Sequence, residues 1–331
     1  MRLLIVTDAW QPQVNGVVRT LTETRRELTE LGHHVELLTP EGLTTLPCPS
    51  YPDIRLTLFA GRAVRNALKT VRPDAIHIAT EGPLGLAARR WCLRHGVPFT
   101  TAYHTRFPEY IHARIRLPLA LSYAWMRWFH RPSQAVMVPT PAMCQALTQR
   151  GFERVVLWSR GVDTTLFHPG DRSRLKTVPP IFVYVGRVAI EKNIEAFLQL
   201  DLPGSKWVVG EGPLLATLQK KYPDVHFLGV LPQSELVRVY NAADVFVFPS
   251  LTDTFGLVML EAMACGTPVA AYPVEGPLDV VGSSAGGVLA ADLRSACLRA
   301  SQLDRQQVRC YAERFSWRAA AEQFLQHLVT R

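Results

Sequence analysis

The stretch "VFVFPSLTDTFGLVMLEAMACGTPVAAY" (Val245–Tyr272) contains a complete strand–helix–strand pattern. A continuous apolar run at Val245–Ser250 predicts a buried strand, and a second follows at Pro268–Tyr272. Between them, an apolar helix is predicted to begin near Phe255 or the following glycine and to end at Gly266, because glycine followed by proline stops a helix. Buried strands joined by a helix indicate parallel strands in a sheet that helices cover on both faces.

The same alternation of strands and amphipathic segments occurs throughout the 331-residue chain, in two series. The predicted strands are Leu3–Asp8, His34–Thr39, Ala75–Thr80, Pro98–Tyr103, Ala135–Thr140, Val155–Ser159, Ile181–Gly186, Trp207–Gly210, Val225–Gly229, Val245–Ser250 and Pro268–Tyr272. Two such series predict an α/β protein with two Rossmann-like domains. Proline, glycine and charge interrupt the pattern between Arg160 and Pro180, so we place the domains at 1–168 and 169–331. A terminal amphipathic helix is predicted at about 315–329, and packing back onto the N-terminal domain is one arrangement open to it.

The charge of the chain is concentrated in its first half. The formal net charge is +8, and residues 1–168 hold 20 Lys+Arg against 12 Asp+Glu, whereas residues 169–331 hold 16 of each. This basic half indicates an anionic partner, or alternatively an uneven solubility charge. The six cysteines form no C-x-x-C pair and residues 1–24 lack the apolar core of a signal peptide, so we expect reduced thiols and a cytoplasmic location.

Two acids occupy unusual positions in the opening stretch. Glu261 is the only charged residue between Leu257 and Gly266, and a buried carboxylate needs firm hydrogen-bond donors, which the vicinal hydroxyls of a ribose could supply. Eight helical residues span roughly 12 Å, so Asp253 and Glu261 cannot act as a close pair on one atom. They could hold the two ends of a nucleotide-diphosphate sugar, with the phosphates at Gly256. Alternatively, Asp253 is an N-cap and Glu261 is structural.

A cationic motif follows the first strand of the second series. In "VGRVAIEKNIEAF" (Val185–Phe197), Arg187 comes directly after the strand and Lys192 lies at the start of a helix. Two cations at a helix N-terminus suit an anion with several charges, such as a diphosphate. Alternatively, Lys192 pairs with Glu191 or Glu195.

A glycine loop follows the first strand of the chain. Asn15 is a good N-cap for the next helix, and Gly16 would let a ligand approach backbone N–H groups at the positive end of that helix. The loop is therefore suited to phosphate, although a plain tight turn would have the same sequence.

Taken together, these motifs resemble those of the retaining glycosyltransferases of family 4, which have the GT-B fold. The resemblance rests on acid-x7-acid with Phe-Gly two residues after the first acid, on G-R-x4-K, and on the Asn-Gly loop. It extends to "GVDTTLF" (Gly161–Phe167), to the turn at Gly210–Pro213 and to the late "FSW". It implies two parallel sheets facing a central cleft, an acceptor-binding N-terminal domain and a nucleotide-sugar-binding C-terminal domain.

The resemblance also implies roles for individual residues. Arginine and lysine neutralise the donor diphosphate, the first acid touches the transferred sugar and the second binds the ribose. A histidine after a first-domain strand contacts the sugar in the family, which would be His104, although a structural imidazole remains the alternative. The implied catalytic residues are His104, Asp253, Arg187 and Lys192, and the implied donor-binding residues are Gly16, Arg187, Lys192, Gly210, Val230, Asp253, Phe255, Gly256, Leu257 and Glu261. The family usually has glutamate where Asp253 stands, which bears on the identity of the sugar.

The implied chemistry needs no cofactor beyond the UDP-sugar or GDP-sugar substrate. Cations and helix N-termini stabilise the departing diphosphate electrostatically. No D-x-D occurs in the chain, so no metal is predicted. By resemblance, the product of this hexosyltransferase is α-linked, with retention of configuration.

The acceptor is suggested by the stretch Tyr103–Pro132. Leu117–Met126 is apolar apart from Ser122 and too short to span a bilayer. Arginines and aromatic residues surround it, and the predicted acceptor or membrane residues are Arg106, Arg114, Arg116, Trp125, Arg127 and Trp128. This pattern suits a helix lying in the headgroup region of an anionic membrane, or alternatively an ordinary core helix with solvated arginines.

Membrane contact would favour a lipid acceptor. Within the family the sequence is similar to bacterial enzymes that glycosylate diacylglycerol, and GDP-mannose-dependent α-mannosyltransferases share many of the same sequence motifs. We therefore expect transfer of glucose, galactose, glucuronic acid or mannose to a lipid at the inner face of the cell membrane, where the protein is peripherally associated. A nucleotide-sugar 2-epimerase is an alternative with the same fold. A nucleic-acid-binding protein is disfavoured, because the chain has no motif for it and Asp253 and Glu261 would be unexplained.

Overall fold

The computed structural model describes the chain except residues 12, 14, 49–50, 173–176, 283–284 and 331 and the side chains of 51–54 and 113–115. Its contacts divide the chain into two compact units, Met1–Arg160 with Trp317–Arg331, and Gly161–Ser316. The sequence placed the division at residue 168, eight residues later. The terminal segment from Trp317 returns to the first unit.

The secondary structure alternates as the apolar pattern requires. The strands are β1 (Arg2–Val6), β2 (His34–Leu38), β3 (Thr45–Cys48), β4 (Tyr51–Thr57), β5 (Ala75–Ile78), β6 (Thr100–Ala102), β7 (Val136–Val138), β8 (Val155–Leu157), β9 (Ile181–Val185), β10 (Ser205–Val209), β11 (His226–Phe227), β12 (Val245–Phe248), β13 (Val269–Ala271) and β14 (Gly287–Leu289). The helices are α1 (Gly16–Glu30), α2 (Ala60–Val71), α3 (Pro83–His95), α4 (Phe107–Ile115), α5 (Leu119–His130), α6 (Pro141–Gln149), α7 (Ile194–Leu198), α8 (Leu215–Lys221), α9 (Gln233–Ala242), α10 (Leu257–Ala264), α11 (Glu275–Val280), α12 (Leu293–Ala300), α13 (Arg305–Ala312) and α14 (Trp317–His327), and a 3-10 helix (Ile190–Lys192) precedes α7.

Each unit contains one parallel sheet. In the first unit the strand order is β2-β1-β5-β6-β7-β8, and in the second it is β11-β10-β9-β12-β13-β14. The second order is the 3-2-1-4-5-6 arrangement of a Rossmann fold. The prediction of two Rossmann-like α/β domains is therefore confirmed. The antiparallel pair β3–β4 and the short edge strand β14 were not predicted.

Both faces of each sheet are buried, which explains the continuous apolar strands. In β9, Val183 and Val185 pack into one core cluster, whereas Phe182 and Tyr184 pack into another on the opposite face. The first unit follows the same rule along β1. There, Phe324 of α14 packs in the cluster that contains the β1 side chains of one face, so the terminal helix completes that core.

Candidate functional site

The strand order of the second unit fixes where its ligand site must lie. The order reverses between β9 and β12, which pair directly with each other. At such a reversal the two following loops run to opposite faces, so a crevice opens at the carboxyl ends of the strands. Arg187 follows β9 and Asp253 follows β12, so both lie at the loops that border this crevice.

Lys192 and Asp253 form an ion pair across these two loops. Their side chains are 23% and 15% exposed, so the pair is largely shielded from water. Two further contacts join the loops: Asn193 Nδ2 donates to the Pro249 carbonyl at 3.0 Å, and Thr252 Oγ1 donates to the Glu191 carbonyl at 3.3 Å. Lys192, predicted to bind the diphosphate, and Asp253, predicted to contact the sugar, are therefore in direct contact.

Glu195, one of the two acids weighed with Glu191 as a partner for Lys192, is engaged elsewhere. It forms an ion pair with Lys221 and accepts a hydrogen bond from Tyr222 Oη at 2.9 Å. The carboxylate that pairs with Lys192 instead lies 61 positions away in sequence.

The Gly210–Pro213 turn lies directly against the backbone that carries Arg187. A Cβ built at Gly210 would lie 2.0 Å from the Gly186 carbonyl oxygen, and one at Gly212 would lie 2.3 Å from the Val188 carbonyl oxygen. Glycine is therefore required at both positions. Tyr184 Oη also donates to the Arg187 carbonyl at 2.7 Å, which fixes the backbone at this half-buried arginine.

Val230 follows β11 on the other side of β10, and its side chain is 54% exposed. It thus lies at the same carboxyl edge of the sheet as Gly210. Its exposure is compatible with contact to a ligand.

Helix α10 begins at Leu257, so Asp253 lies before the helix, whereas Glu261 lies within it. Gly256 precedes it with φ 85°, and a Cβ there would lie 2.8 Å from Met259 Cε and 2.9 Å from Phe248 Cζ. The roughly 12 Å spacing assumed eight helical residues, whereas only the part from Leu257 to Glu261 is helical.

The loop before α10 is packed tightly on both sides. Phe255 is 6% exposed and belongs to the core, whereas Leu257 is partly buried against it. A Cβ at Gly276 in α11 would lie 2.7 Å from the Asp253 carbonyl oxygen. The backbone around Asp253 therefore has little freedom to move towards α11.

Glu261 lies inside the core and is 4% exposed. Tyr240 Oη of α9 donates a hydrogen bond to its Oε2 at 3.1 Å, which supplies a donor that this buried carboxylate needs. Burial and the Glu261 charge raise the pKa of the neighbouring Cys265 thiol to about 12. Sequence reasoning missed Tyr240, since its apolar position in an amphipathic helix carries no motif.

Two arginines of α13 hold the C-terminal end of α10. Arg309 Nη1 donates to the Ala264 carbonyl at 2.6 Å, and Arg305 Nη2 donates to the Thr267 hydroxyl at 2.9 Å. Cations at this end also suit the helix dipole. The position of Glu261 is thus set from both α9 and α13.

The remaining sequence-predicted residues, Gly16 and His104, lie in the first unit. Its strand order reverses between β1 and β5, and β6 lies next to β5. Gly16 opens α1, where Asn15 caps the helix by accepting from the N–H groups of Val17 and Val18, both at 3.0 Å. His104 follows β6 by two residues, so both positions lie at the carboxyl edge of this sheet.

Asp8 is a buried acid at the same edge that sequence reasoning did not select. Its carboxylate accepts from the N–H groups of Leu84 and Gly85 at 2.8 and 3.2 Å and from Thr80 Oγ1 at 2.9 Å. Burial raises the pKa of Asp8, which these hydrogen bonds partly offset. Asp8 therefore stabilises the N-terminus of α3.

His104 is held by Arg160. Arg160 Nη2 lies 3.2 Å from His104 Nδ1, and the imidazole packs edge-on against Trp158 with ring centroids 5.5 Å apart. Burial, followed by the Arg160 charge, lowers the pKa of His104 well below its usual value. His104 is therefore neutral at pH 7.

The predicted amphipathic stretch forms two helices, α4 and α5, instead of one. Helix α5 buries one apolar face, whereas Leu121, Trp125 and Trp128 on the other are 60%, 39% and 51% exposed. Arg106 does not belong to the exposed surface, because its side chain is only 14% exposed beside Glu109.

The other predicted arginines of this stretch are placed differently. Arg116 is exposed at the end of α4, and Arg127 donates to the Arg150 carbonyl at 3.2 Å. The side chain of Arg114 lies outside the described residues. No helix among the described residues is long and apolar enough to cross a membrane.

Helix α3 adds basic residues beside this apolar face that were not predicted. A groove of about 500 Å³ is lined by Leu86, Arg89, Arg90, Leu93, Arg94 and Trp128. Arg89 stacks over the Trp128 ring at 4.0 Å, and Arg90 and Arg94 are exposed, one helical turn apart. Apolar and cationic groups are thus side by side on one surface.

Within the described part of the chain, no group of three or more His, Cys, Asp and Glu side chains is arranged to hold a metal ion.

Comparison with known proteins gives consistent matches over both units. The family model for Glycosyltransferase Family 4 matches residues 14–166, and the model for Glycosyl transferases group 1 matches residues 179–302. A GDP-mannose-dependent alpha-mannosyltransferase of Mycobacterium tuberculosis is 31% identical over 87% of this chain and 83% of its own length. An alpha-monoglucosyldiacylglycerol synthase of Streptococcus pneumoniae is 28% identical over 82% of this chain and 71% of its own. Among solved structures, a sucrose-phosphate synthase from Thermosynechococcus elongatus superposes with a TM-score of 0.80 at 23% identity, over 98% of this chain and 97% of that one.

Proposed function

Because the chain belongs to glycosyltransferase family 4 and has the GT-B fold, we propose that it transfers a hexose from a nucleotide-diphosphate sugar to a lipid, with retention of configuration. The observation that carries the donor half of this proposal is the pair of loops after β9 and β12. They bring Arg187, Lys192 and Asp253 to the reversal point of the second sheet. A diphosphate there would meet cations and the backbone N–H groups that open α10.

The proposed chemistry follows from these groups. Cleavage of the anomeric bond places negative charge on the departing diphosphate, and Arg187 and Lys192 stabilise that charge. The acceptor hydroxyl attacks from the face that the diphosphate leaves, and a phosphate oxygen takes its proton. Asp253 contacts the hexose and Glu261 the ribose. No metal or other cofactor takes part in this proposal.

The donor site is tested by transfer assays with purified protein. UDP- and GDP-sugars of glucose, galactose, glucuronic acid and mannose are each incubated with diacylglycerol, and the products are resolved as lipids. We expect Glu261→Ala and Lys192→Ala to lower transfer at least tenfold, and the matched Lys221→Ala, which removes an exposed lysine, to leave it unchanged. Wild-type turnover in either site variant would remove the assigned site.

Retention and metal independence have their own readouts. The product of a retaining transfer is α-linked, which the anomeric coupling constant of the glycolipid reports by NMR. Transfer should also persist in EDTA. A β-linked product, or activity that EDTA abolishes and a divalent cation restores, would contradict this part of the proposal.

The lipid half of the proposal rests on the exposed face of α5. Leu121, Trp125 and Trp128 present apolar and aromatic surface, and Arg90 and Arg94 of α3 lie beside it. Aromatic rings suit the interfacial region of a bilayer, and arginines attract anionic headgroups. We infer that this surface contacts an anionic membrane in which the acceptor, with diacylglycerol as the expected example, is dissolved. The protein would then act as a peripheral protein at the cytoplasmic face.

Vesicle co-sedimentation tests the membrane contact. The protein should bind vesicles containing phosphatidylglycerol at low salt and dissociate at high salt. Each basic residue near such a surface contributes about 1 kcal/mol, so Arg90→Gln/Arg94→Gln should weaken binding about 30-fold. Trp128→Ser should also weaken it, whereas Leu46→Ser, which alters a 54% exposed leucine on β3, should not. Equal binding by all variants would exclude the α3–α5 surface.

A second candidate acceptor and donor come from the comparison. The 31% identical relative is a GDP-mannose-dependent alpha-mannosyltransferase, so transfer of mannose to another lipid or to a saccharide is the alternative. In the donor panel, activity confined to GDP-mannose would favour it. A nucleotide-sugar 2-epimerase would instead consume donor without any acceptor and release an epimer.

A further inference from the structure

We propose that Arg160 is a positioning residue that holds His104 in its Nε2–H tautomer, so that His104 acts as a hydrogen-bond donor. Arg160 is 4% exposed, and its Nη2 lies 3.2 Å from His104 Nδ1. A guanidinium has N–H donors and no acceptor. Nδ1 must therefore accept, and the single proton of the neutral imidazole lies on Nε2.

Arg160 is itself held in one orientation. Its Nη1 donates to the carbonyls of Trp158 and Ser159, and its Cζ lies 4.3 Å above the Trp158 ring. Trp158 is completely buried and packs on Phe324 of α14 at 4.8 Å between ring centroids. The guanidinium is thus fixed to a packed core, and this rigidity is what a positioning residue needs.

The charged surroundings favour the same state of His104. The titratable groups that act on it are Arg160 after β8, His77 of β5 and His130 of α5. Each of them disfavours an imidazolium at His104. Glu81 Oε1 lies 3.2 Å from Nε2 of His130. A neutral His104 can neither attract the donor as a cation nor accept a proton at Nδ1 while Arg160 occupies it.

This inference deepens the proposed function and rests on the role that the family resemblance implies for His104, which is contact with the transferred hexose. An Nε2–H group can donate to a sugar hydroxyl oxygen, whereas an Nδ1–H tautomer would present a lone pair at the same place. Arg160 would therefore decide which kind of hydrogen bond His104 offers to the sugar.

The first test reads the tautomer without activity. Two-dimensional ¹H–¹⁵N correlation of histidine ring nitrogens, with His104 assigned by its loss in His104→Gln, should show a protonated Nε2 and an unprotonated Nδ1 from pH 8 to pH 5.5. In Arg160→Met, a mixture of tautomers and protonation at higher pH are expected. Wild-type protein with Nδ1 protonated, or an Arg160→Met spectrum with unchanged tautomer and titration, would overturn the proposal.

The second test uses the pH dependence of transfer. In Arg160→Met, the acid limb of kcat/KM should move up by about one pH unit, since removal of a nearby cation raises the pKa of His104. Lys206→Met is the control, because Lys206 is also a cation removed from full solvent exposure, donates to two backbone carbonyls and lies outside the proposed sites, and its acid limb should not move. Equal shifts in both variants would indicate a general effect of losing a cation that is held by backbone carbonyls. If no transfer is detected at all, the proposed function fails, while the NMR result still decides the tautomer.

Discussion

Replacing Asp253 with asparagine is expected to strengthen the binding of a nucleoside diphosphate while it lowers sugar transfer. Asp253 and Lys192 form an ion pair across the loops that follow β12 and β9. If Lys192 serves the diphosphate, then Asp253 competes with the ligand for that lysine. Removing the carboxylate charge makes Lys192 available, whereas Lys192→Met removes the cation that the diphosphate needs.

The magnitude follows from the exposure of the pair. Side chains that are 23% and 15% exposed lie between a surface pair, worth at most about 1 kcal/mol, and a buried one. A competition of about 1 kcal/mol corresponds to about fivefold tighter binding in Asp253→Asn. Lys192→Met loses charge-assisted hydrogen bonds of about 1.5–3 kcal/mol, or roughly ten- to 150-fold in Kd.

Isothermal titration of UDP and GDP into each variant at one salt concentration measures both effects. Glu195→Gln is the control, because Glu195 pairs with Lys221 at 39% and 55% exposure, and its Kd should stay within about a factor of two of wild type. If Asp253→Asn weakened the nucleotide as much as Lys192→Met does, competition for Lys192 would be ruled out, and Asp253 would instead support nucleotide binding directly.

Three further predictions concern stability and are read by urea unfolding of the full chain. Gly256→Ala should cost more than Gly229→Ala: both have positive φ, worth about 1–2 kcal/mol, but only the first meets side-chain atoms, at 2.8 Å. Tyr240→Phe removes a donor to the buried Glu261 and should cost about 1.5–3 kcal/mol and weaken nucleotide binding, with unchanged stability contradicting the role of this hydrogen bond. Burial lowers the pKa of His77 from 6.5 to about 3, because the folded protein disfavours the charged imidazolium. The contribution of His77 to the free energy of unfolding is therefore fully present above pH 6.5. It is lost as the pH falls towards 3, by at most about 1.4 kcal/mol per pH unit. In His77→Gln this slope should flatten between pH 6.5 and pH 4.5.

The fold could be predicted because its central strands, such as β1, β9 and β12, are buried on both faces. Such a strand appears as a continuous apolar run, and every run that was selected forms a strand of a parallel sheet. The hairpin β3–β4 was missed because no residue of β3 is fully buried and the strand contains a proline, so no apolar run marks it. Helix α14, more than 150 positions after β8, belongs to the first unit, and no local feature of the sequence marks such a return.

The candidate site residues were selected from local features of the sequence, namely motifs and positions that follow strands. Arg187 was selected because it directly follows a strand, and parallel strands bring the positions after their carboxyl ends to one edge. Asp253 was selected from its spacing to Glu261, and His104 from the family resemblance. The partners of these residues were not predictable from local pattern. Tyr240 reaches Glu261 from another helix, and Arg160 reaches His104 from a position 56 residues away. Such contacts depend on how helices and loops pack, which neither periodicity nor motif spacing encodes.

The two acids of the opening stretch differ in how firmly the fold holds them. Glu261 is placed within a helix, receives a hydrogen bond from Tyr240 and is 4% exposed, so packing and a hydrogen bond both restrain its carboxylate. Asp253 stands on a loop, and its partner Lys192 is a flexible point charge that a diphosphate can take over. A rigid acid suits a group that every nucleotide donor shares, such as the ribose. Asp253 can exchange its partner, and its side chain is one methylene shorter than that of glutamate. These properties suit contact with the hexose, which is the group that varies among donors. We therefore expect the choice of hexose to depend on the Lys192–Asp253 pair.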